Sequence, residues 1–146
     1  MTHSHIRPPV FTLDKVIRSD AKIVDDVVRD ITSVLKHLDS CDDVELIGLA
    51  IREALSNALI HGNRYDVEKP ITISVTIKDD GSLFVSVKDF GSGFDPNALP
   101  NPLAVENLLR NHGRGIFLMR QLMDEVEFSF DHGTEVRMRR TQKCVE

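Results

Sequence analysis

No stretch of the chain approaches the roughly 20 consecutive apolar residues needed to cross a bilayer, and the opening MTHSHIRPPV has no hydrophobic segment of a secretory leader. Neither a membrane partner nor export is expected, and the cytoplasm is the default location. Cysteine is scarce. Cys41 and Cys144 stand in no metal-like spacing and suggest no disulfide framework. Positive charge is in deficit, with 18 Lys and Arg against 23 Asp and Glu and a net charge of −5, which argues against a broad nucleic-acid-binding face. The one basic run, RMRRTQK, alternates like a solvated strand edge that leads into a tail. The histidines His3, His5, His37, His112 and His132 show no ligand spacing. Internal repeats and low-complexity linkers are missing too, so the 146 residues, 41% of them hydrophobic, are expected to form one domain with a real core, ordered from about 10 to 140.

What is present is clear periodicity. VFTLDKVI (10–17) reads as a first strand. Over 20–38, Val24, Val27, Val28, Ile31, Val34, Leu35 and Leu38 recur at helical spacing. SCDD predicts a capping box with Ser40 as N-cap, opening a second helix that stops near Gly62. ITISVTIK (71–78) alternates strictly, DDGS turns the chain, and Leu83, Val85 and Val87 continue the buried face in a hairpin partner. GIFLMRQLM (115–123) predicts a further helix, then VEFSF, a DHG turn and TEVRMRR a second hairpin. Sheets with one apolar and one polar face take helices on one side only. The order therefore predicts an α+β fold, a two-layer α/β sandwich with a mixed, mostly antiparallel sheet.

Three stretches carry chemistry. In EALSNALIH, Glu53, Asn57 and His61 fall one turn apart on one side of the second helix. A carboxylate and an amide at the edge of an apolar face need partners. Asn57 could offer a neutral oxygen to a magnesium ion and Glu53 could take a proton from a hydroxyl attacking a phosphate. A buried polar contact to a neighbouring strand would use the same pair, and His61 is read as a helix-end residue. In VKDFGSGF, Asp89 leaves a strand beside Gly91 and Gly93. Such a carboxylate can accept from an exocyclic amine, which adenine presents where guanine has a carbonyl; an ordinary Asx turn has the same pattern. In HGRGIFLMRQLM, Gly113, Arg114 and Gly115 open a helix, either as an anion site or as simple helix-start punctuation. Between these glycines, residues 94–112 form a loop long enough to be a lid. Thr134 opens the last strand and could place a hydroxyl near a base.

E-x-x-x-N on a helix, D-x-G-x-G after a strand, a long loop, G-x-G opening a helix and GT before the last strand is a specific order. It resembles the ATP-binding (Bergerat) fold of DNA gyrase, heat-shock chaperones, sensor histidine kinases and mismatch-repair proteins, from about Val10 to Arg140. IREALSNALIHGN, VKDFGSGFDP, GRGIFLM and GTEVRMRR look most like the stand-alone anti-sigma factor serine-protein kinases. Some 40 residues precede the Glu53 helix, and His37 lacks the surroundings of a phospho-accepting histidine, which favours that branch. The resemblance implies ATP and Mg2+ as cofactors, Glu53 as catalytic base, Asn57 as metal ligand and Asp89 as the adenine-reading acid. It places Gly91, Gly93, Gly113 and Gly115 around the nucleotide, with Thr134 beside the adenine. It further implies a serine/threonine kinase that phosphorylates a small anti-sigma antagonist and sequesters a sigma factor, often as a homodimer; the alternative is a nucleotide-gated binding module with little or no turnover.

Overall fold

Alternation organises the sheet. Ile71, Ile73, Val75 and Ile77 are buried while Thr72, Ser74, Thr76 and Lys78 are half-buried, as a strand with one covered face requires. The computed structural model describes residues 9–38, 43–91 and 114–141. In it this segment is strand β2 (Ile71–Lys78), flanked by β1 (Pro9–Ile17) and β3 (Leu83–Asp89). β5 (Thr134–Arg140) lies beside β3 and β4 (Glu125–Phe130) ends the row, so the order is β1-β2-β3-β5-β4 and every described pairing is antiparallel. The turns use the chemistry the sequence offers. Gly81 (φ 86°) turns β2 into β3, and His132 (φ 54°) with Gly133 (φ 118°) turns β4 into β5.

The covered face lies under the three α-helices of the described residues. In α1 (Ala21–His37), Val24, Val27, Val28, Ile31 and Leu35 line one side, and Asp20 caps the start by accepting from the N–H groups of Lys22 and Ile23. In α2 (Val44–Asn57), Ile47, Ala50, Ile51, Ala54 and Leu55 are all buried. This helix runs between α1 and α3 (Arg114–Leu122), whose Ile116 and Met119 complete the core. The strands and helices thus fall where the periodicity predicts, in an α+β sandwich with helices on one face.

Two expectations need correction. The residue that caps α2 is Asp43, whose Oδ1 accepts from Glu45 N at 3.1 Å and Leu46 N at 3.4 Å. The helix therefore begins after Asp43, an N-cap as effective as serine, and not at Ser40, which lies outside the described residues. The basic run is no edge. β5 sits between β3 and β4, and its solvent-face arginines are met by acids on β4 and on β5 itself: Arg139 pairs with Glu125 at 3.0 Å, and Arg137 with Glu127 at 3.5 Å and with Glu135 at 3.8 Å. Among the described residues, no helix is long and apolar enough to cross a membrane.

Candidate functional site

β3 ends on a buried charge. Asp89 is 3% exposed, and the main-chain N–H groups of Gly91 and Thr134 both donate to its Oδ1, at 3.1 Å each. Its other oxygen faces backbone. A Cβ on Gly62 would lie 2.1 Å from Oδ2, and one on Gly133 would lie 2.2 Å from the Asp89 carbonyl oxygen. A Cβ on Gly91 would come within 2.0 Å of the Gly62 carbonyl oxygen. Three glycines thus let main chain close around the carboxylate where side chains would collide.

Burial pushes the Asp89 carboxyl above its ordinary value of 3.8; the two N–H donors, then Lys88 and Lys69, pull the other way. The sign of the linkage follows. A folded-state pKa above the unfolded one means the folded protein takes up a proton first, so Asp89 costs stability at neutral pH and that cost is relieved as pH falls through the raised value toward 3.8. Denaturant titrations at stepped pH should therefore show the stability of the wild type rising relative to Asp89→Asn across that window. A difference that does not change with pH would contradict the raised value.

α2 does not end as a regular helix. It passes into a π turn (Ala58–Gly62) closed by Asn63 N–H to the Ala58 carbonyl at 2.8 Å. Such widened turns recur at functional sites. This one ends the one-turn stripe at Asn57 and leaves His61 on the exposed side, while carrying Gly62 to Asp89. The next residue, Asn63, is buried and fully bonded. Its Nδ2 lies 2.9 Å from Ser19 Oγ and from the carbonyls of Lys69 and Pro70, and its Oδ1 accepts from Phe90 N–H at 2.9 Å.

One turn earlier, Glu53 and Asn57 face the first turn of α3. A Cβ on Gly115 would sit 2.6 Å from Glu53 Oε2 and 3.6 Å from both polar atoms of the Asn57 amide. Asn57 Nδ2 is buried with no hydrogen-bond partner among the described residues, a cost of about 1–3 kcal/mol that an apolar residue would avoid. No cluster of three or more His, Cys, Asp or Glu able to hold a metal occurs among the described residues. A cation here would lean on the Asn57 oxygen, waters and phosphate oxygens, a donor set that suits magnesium.

Two groups of expected residues therefore come together, Glu53, Asn57 and Gly115 in one and Asp89, Gly91 and Thr134 in the other, with the π turn running from the first to the second. Thr134 contributes its N–H to the carboxylate. Gly93, Gly113 and the expected lid (94–112) lie outside the described residues, as does the side chain of Arg114, the first residue of α3. Gly62, Asn63 and Gly133 are additions that sequence reasoning missed. HGN directly after the E-x-x-x-N helix was the available signal for the first two.

Residues 17–140 match the family described as the histidine kinase-like ATPase domain. An anti-sigma F factor from Priestia megaterium is 31% identical over 99 residues, 66% of this chain and 67% of that protein. A serine-protein kinase RsbW from Listeria monocytogenes is 30% identical over 105 residues, 68% of this chain and 66% of that protein. The matched parts span about two thirds of these relatives' lengths. The crystal structure of the RsbU and RsbW domains of Rv1364c from Mycobacterium tuberculosis shares the fold, with a TM-score of 0.66 at 20% identity over 92% of this chain and 33% of that one. The chain belongs to the histidine kinase-like ATPase domain family.

Proposed function

We propose that this protein binds Mg-ATP and acts as a serine/threonine kinase and anti-sigma factor, phosphorylating a small anti-sigma antagonist and sequestering a sigma factor. The observation that carries the nucleotide assignment is Asp89, a carboxylate at a strand end whose Oδ1 is occupied by main-chain donors and whose Oδ2 lies against a glycine. An acceptor held there takes a hydrogen bond from the adenine amine and repels the guanine carbonyl. Gly91 and Thr134 belong to the base end of the site, and Arg114 and Gly115, in the first turn of α3, to the phosphate end, where the start of a helix favours anions; the sequence motifs assign Gly93 to the first group and Gly113 to the second.

Glu53 is the catalytic base in this scheme. It takes the proton of the substrate hydroxyl as that oxygen bonds to the terminal phosphorus and the bond to the ADP oxygen breaks. Bound Mg-ATP supplies the transferable phosphoryl group and the cation that offsets its charge. The Asn57 oxygen would hold that cation, at the edge of α2 facing the first turn of α3. A sigma factor as partner is supported by the name of one relative, an anti-sigma F factor, and a protein serine as phosphate acceptor by that of another, a serine-protein kinase RsbW. Cytoplasmic location and a homodimer complete the proposal.

Incubation with γ-labelled Mg-ATP and candidate antagonist proteins tests it. Label on an antagonist serine or threonine is the expected result. Nucleotide-dependent capture of a partner with no label transferred would favour the nucleotide-gated binding module and remove the kinase.

A further inference from the structure

The ladder between β2 and β3 ends at the pair Ile71–Asp89, and that between β3 and β5 ends at Lys88–Glu135. Phe90 is thus past the sheet, and its N–H needs another acceptor. Asn63 Oδ1 is that acceptor, at 2.9 Å. The far end of the same amide is tied down by three acceptors in two other segments: Ser19 Oγ, between β1 and α1, and the Lys69 and Pro70 carbonyls, just before β2. The Ser19 hydroxyl in turn donates to Lys69 O at 2.5 Å. One side chain, 1% exposed, therefore joins the π-turn exit, the start of α1, the approach to β2 and the peptide that follows Asp89.

Only an amide suits this position. Aspartate could accept from Phe90 but could not donate to the two carbonyls, and leucine could do neither. Asn63 also directly follows Gly62, whose backbone walls Oδ2. The same residue hence fixes both the peptide bearing the carboxylate and the glycine that limits where Oδ2 can move.

We propose that Asn63 is a positioning residue for base selectivity: it holds Asp89 Oδ2 where an adenine amine meets it and a guanine carbonyl is refused. This rests on Asp89 as the adenine reader, and deepens that assignment. A residue of purely structural value would lower the folded fraction and weaken both nucleotides equally, so the ratio of affinities separates the two roles.

Titration calorimetry of the full chain with Mg-ATP and with Mg-GTP supplies that ratio for the wild type, Asp89→Asn, Asn63→Ser and Ser19→Ala. The wild type is expected to favour ATP and Asp89→Asn to lose most of the preference. Asn63→Ser should cut the ratio by about fivefold or more, the size of effect a lost buried hydrogen bond produces. Ser19→Ala, which loosens the amide but leaves the Phe90 bond, should cut it by roughly two- to threefold. No preference in the wild type would overturn the adenine assignment itself. A wild-type preference that Asp89→Asn abolishes but Asn63→Ser leaves unchanged, with only the melting temperature lowered, would overturn the role of Asn63 alone. Where Asn63→Ser does not fold, Ser19→Ala decides: a reduced ratio supports the role and an unchanged one overturns it.

Discussion

Glu53→Gln is expected to lower phosphate transfer by about 10²–10⁴-fold, the usual worth of a positioned base, while leaving Mg-ATP affinity within a few-fold. Glutamine keeps the shape of the side chain, so its contact with the first turn of α3 beside Gly115 is retained. What it loses is the ability to take a proton. Asn57→Ala should behave differently and weaken binding of the metal–nucleotide complex, since it removes the oxygen assigned to the cation. Were Glu53 only a packing contact between helices, the glutamine variant would instead lower the melting temperature and depress binding and transfer together. Sequestration of a partner should survive Glu53→Gln, because holding a partner needs the nucleotide-bound form and no proton transfer. Steady-state transfer rates beside calorimetric affinities distinguish these patterns.

Gly91→Ala should be among the most damaging single-methyl changes in the site. Its Cβ would fall 2.0 Å from the Gly62 carbonyl oxygen, backbone against backbone, so no side-chain rotation can relieve the clash. Overpacking of this kind costs about 1–3 kcal/mol, and the forced separation of the π turn from the end of β3 displaces Gly62 from Asp89. Loss of stability and roughly tenfold or greater loss of ATP affinity are expected together, because the displaced carboxylate loses its hydrogen bond to the base. Gly81→Ala provides the control. Its φ of 86° also penalises alanine, but it lies in the β2–β3 turn, at the other end of β3 from Asp89. That variant should lose stability and keep its affinity for nucleotide. Wild-type melting and wild-type ATP affinity in Gly91→Ala would mean that the close approach is not tight in solution.

The parts of this protein legible in its sequence are those governed by local periodicity. Strict alternation in ITISVTIK and the valine–isoleucine–leucine spacing of 24–35 fix strand and helix without reference to anything distant. E-x-x-x-N, D-x-G and G-x-G are short enough to be recognised as units, and Glu53 with Gly115 and Asp89 with Gly91 do come together. What stayed hidden depends on contacts between segments far apart in the chain. Gly62 matters because β3 ends beside it, and Gly133 because the turn into β5 comes up against the backbone of Asp89. Asn63 resembles a loop asparagine until Ser19, Lys69, Pro70 and Phe90 are seen around it. The π turn was hidden for a related reason. The i, i+4 spacing of Glu53, Asn57 and His61 is that of a regular helix, and the widened turn is visible only from the Asn63–Ala58 hydrogen bond. The arginines of β5 looked like an edge because their acidic partners lie on β4 and on β5 itself.

The proposed reading of adenine by Asp89 is tested by titrating the wild-type protein with Mg-ATP and with Mg-GTP under identical conditions. ATP should bind, with GTP at least about tenfold weaker, because a buried carboxylate facing a carbonyl leaves both acceptors unsatisfied. Equal affinity for the two nucleotides, or no binding of ATP, would contradict it.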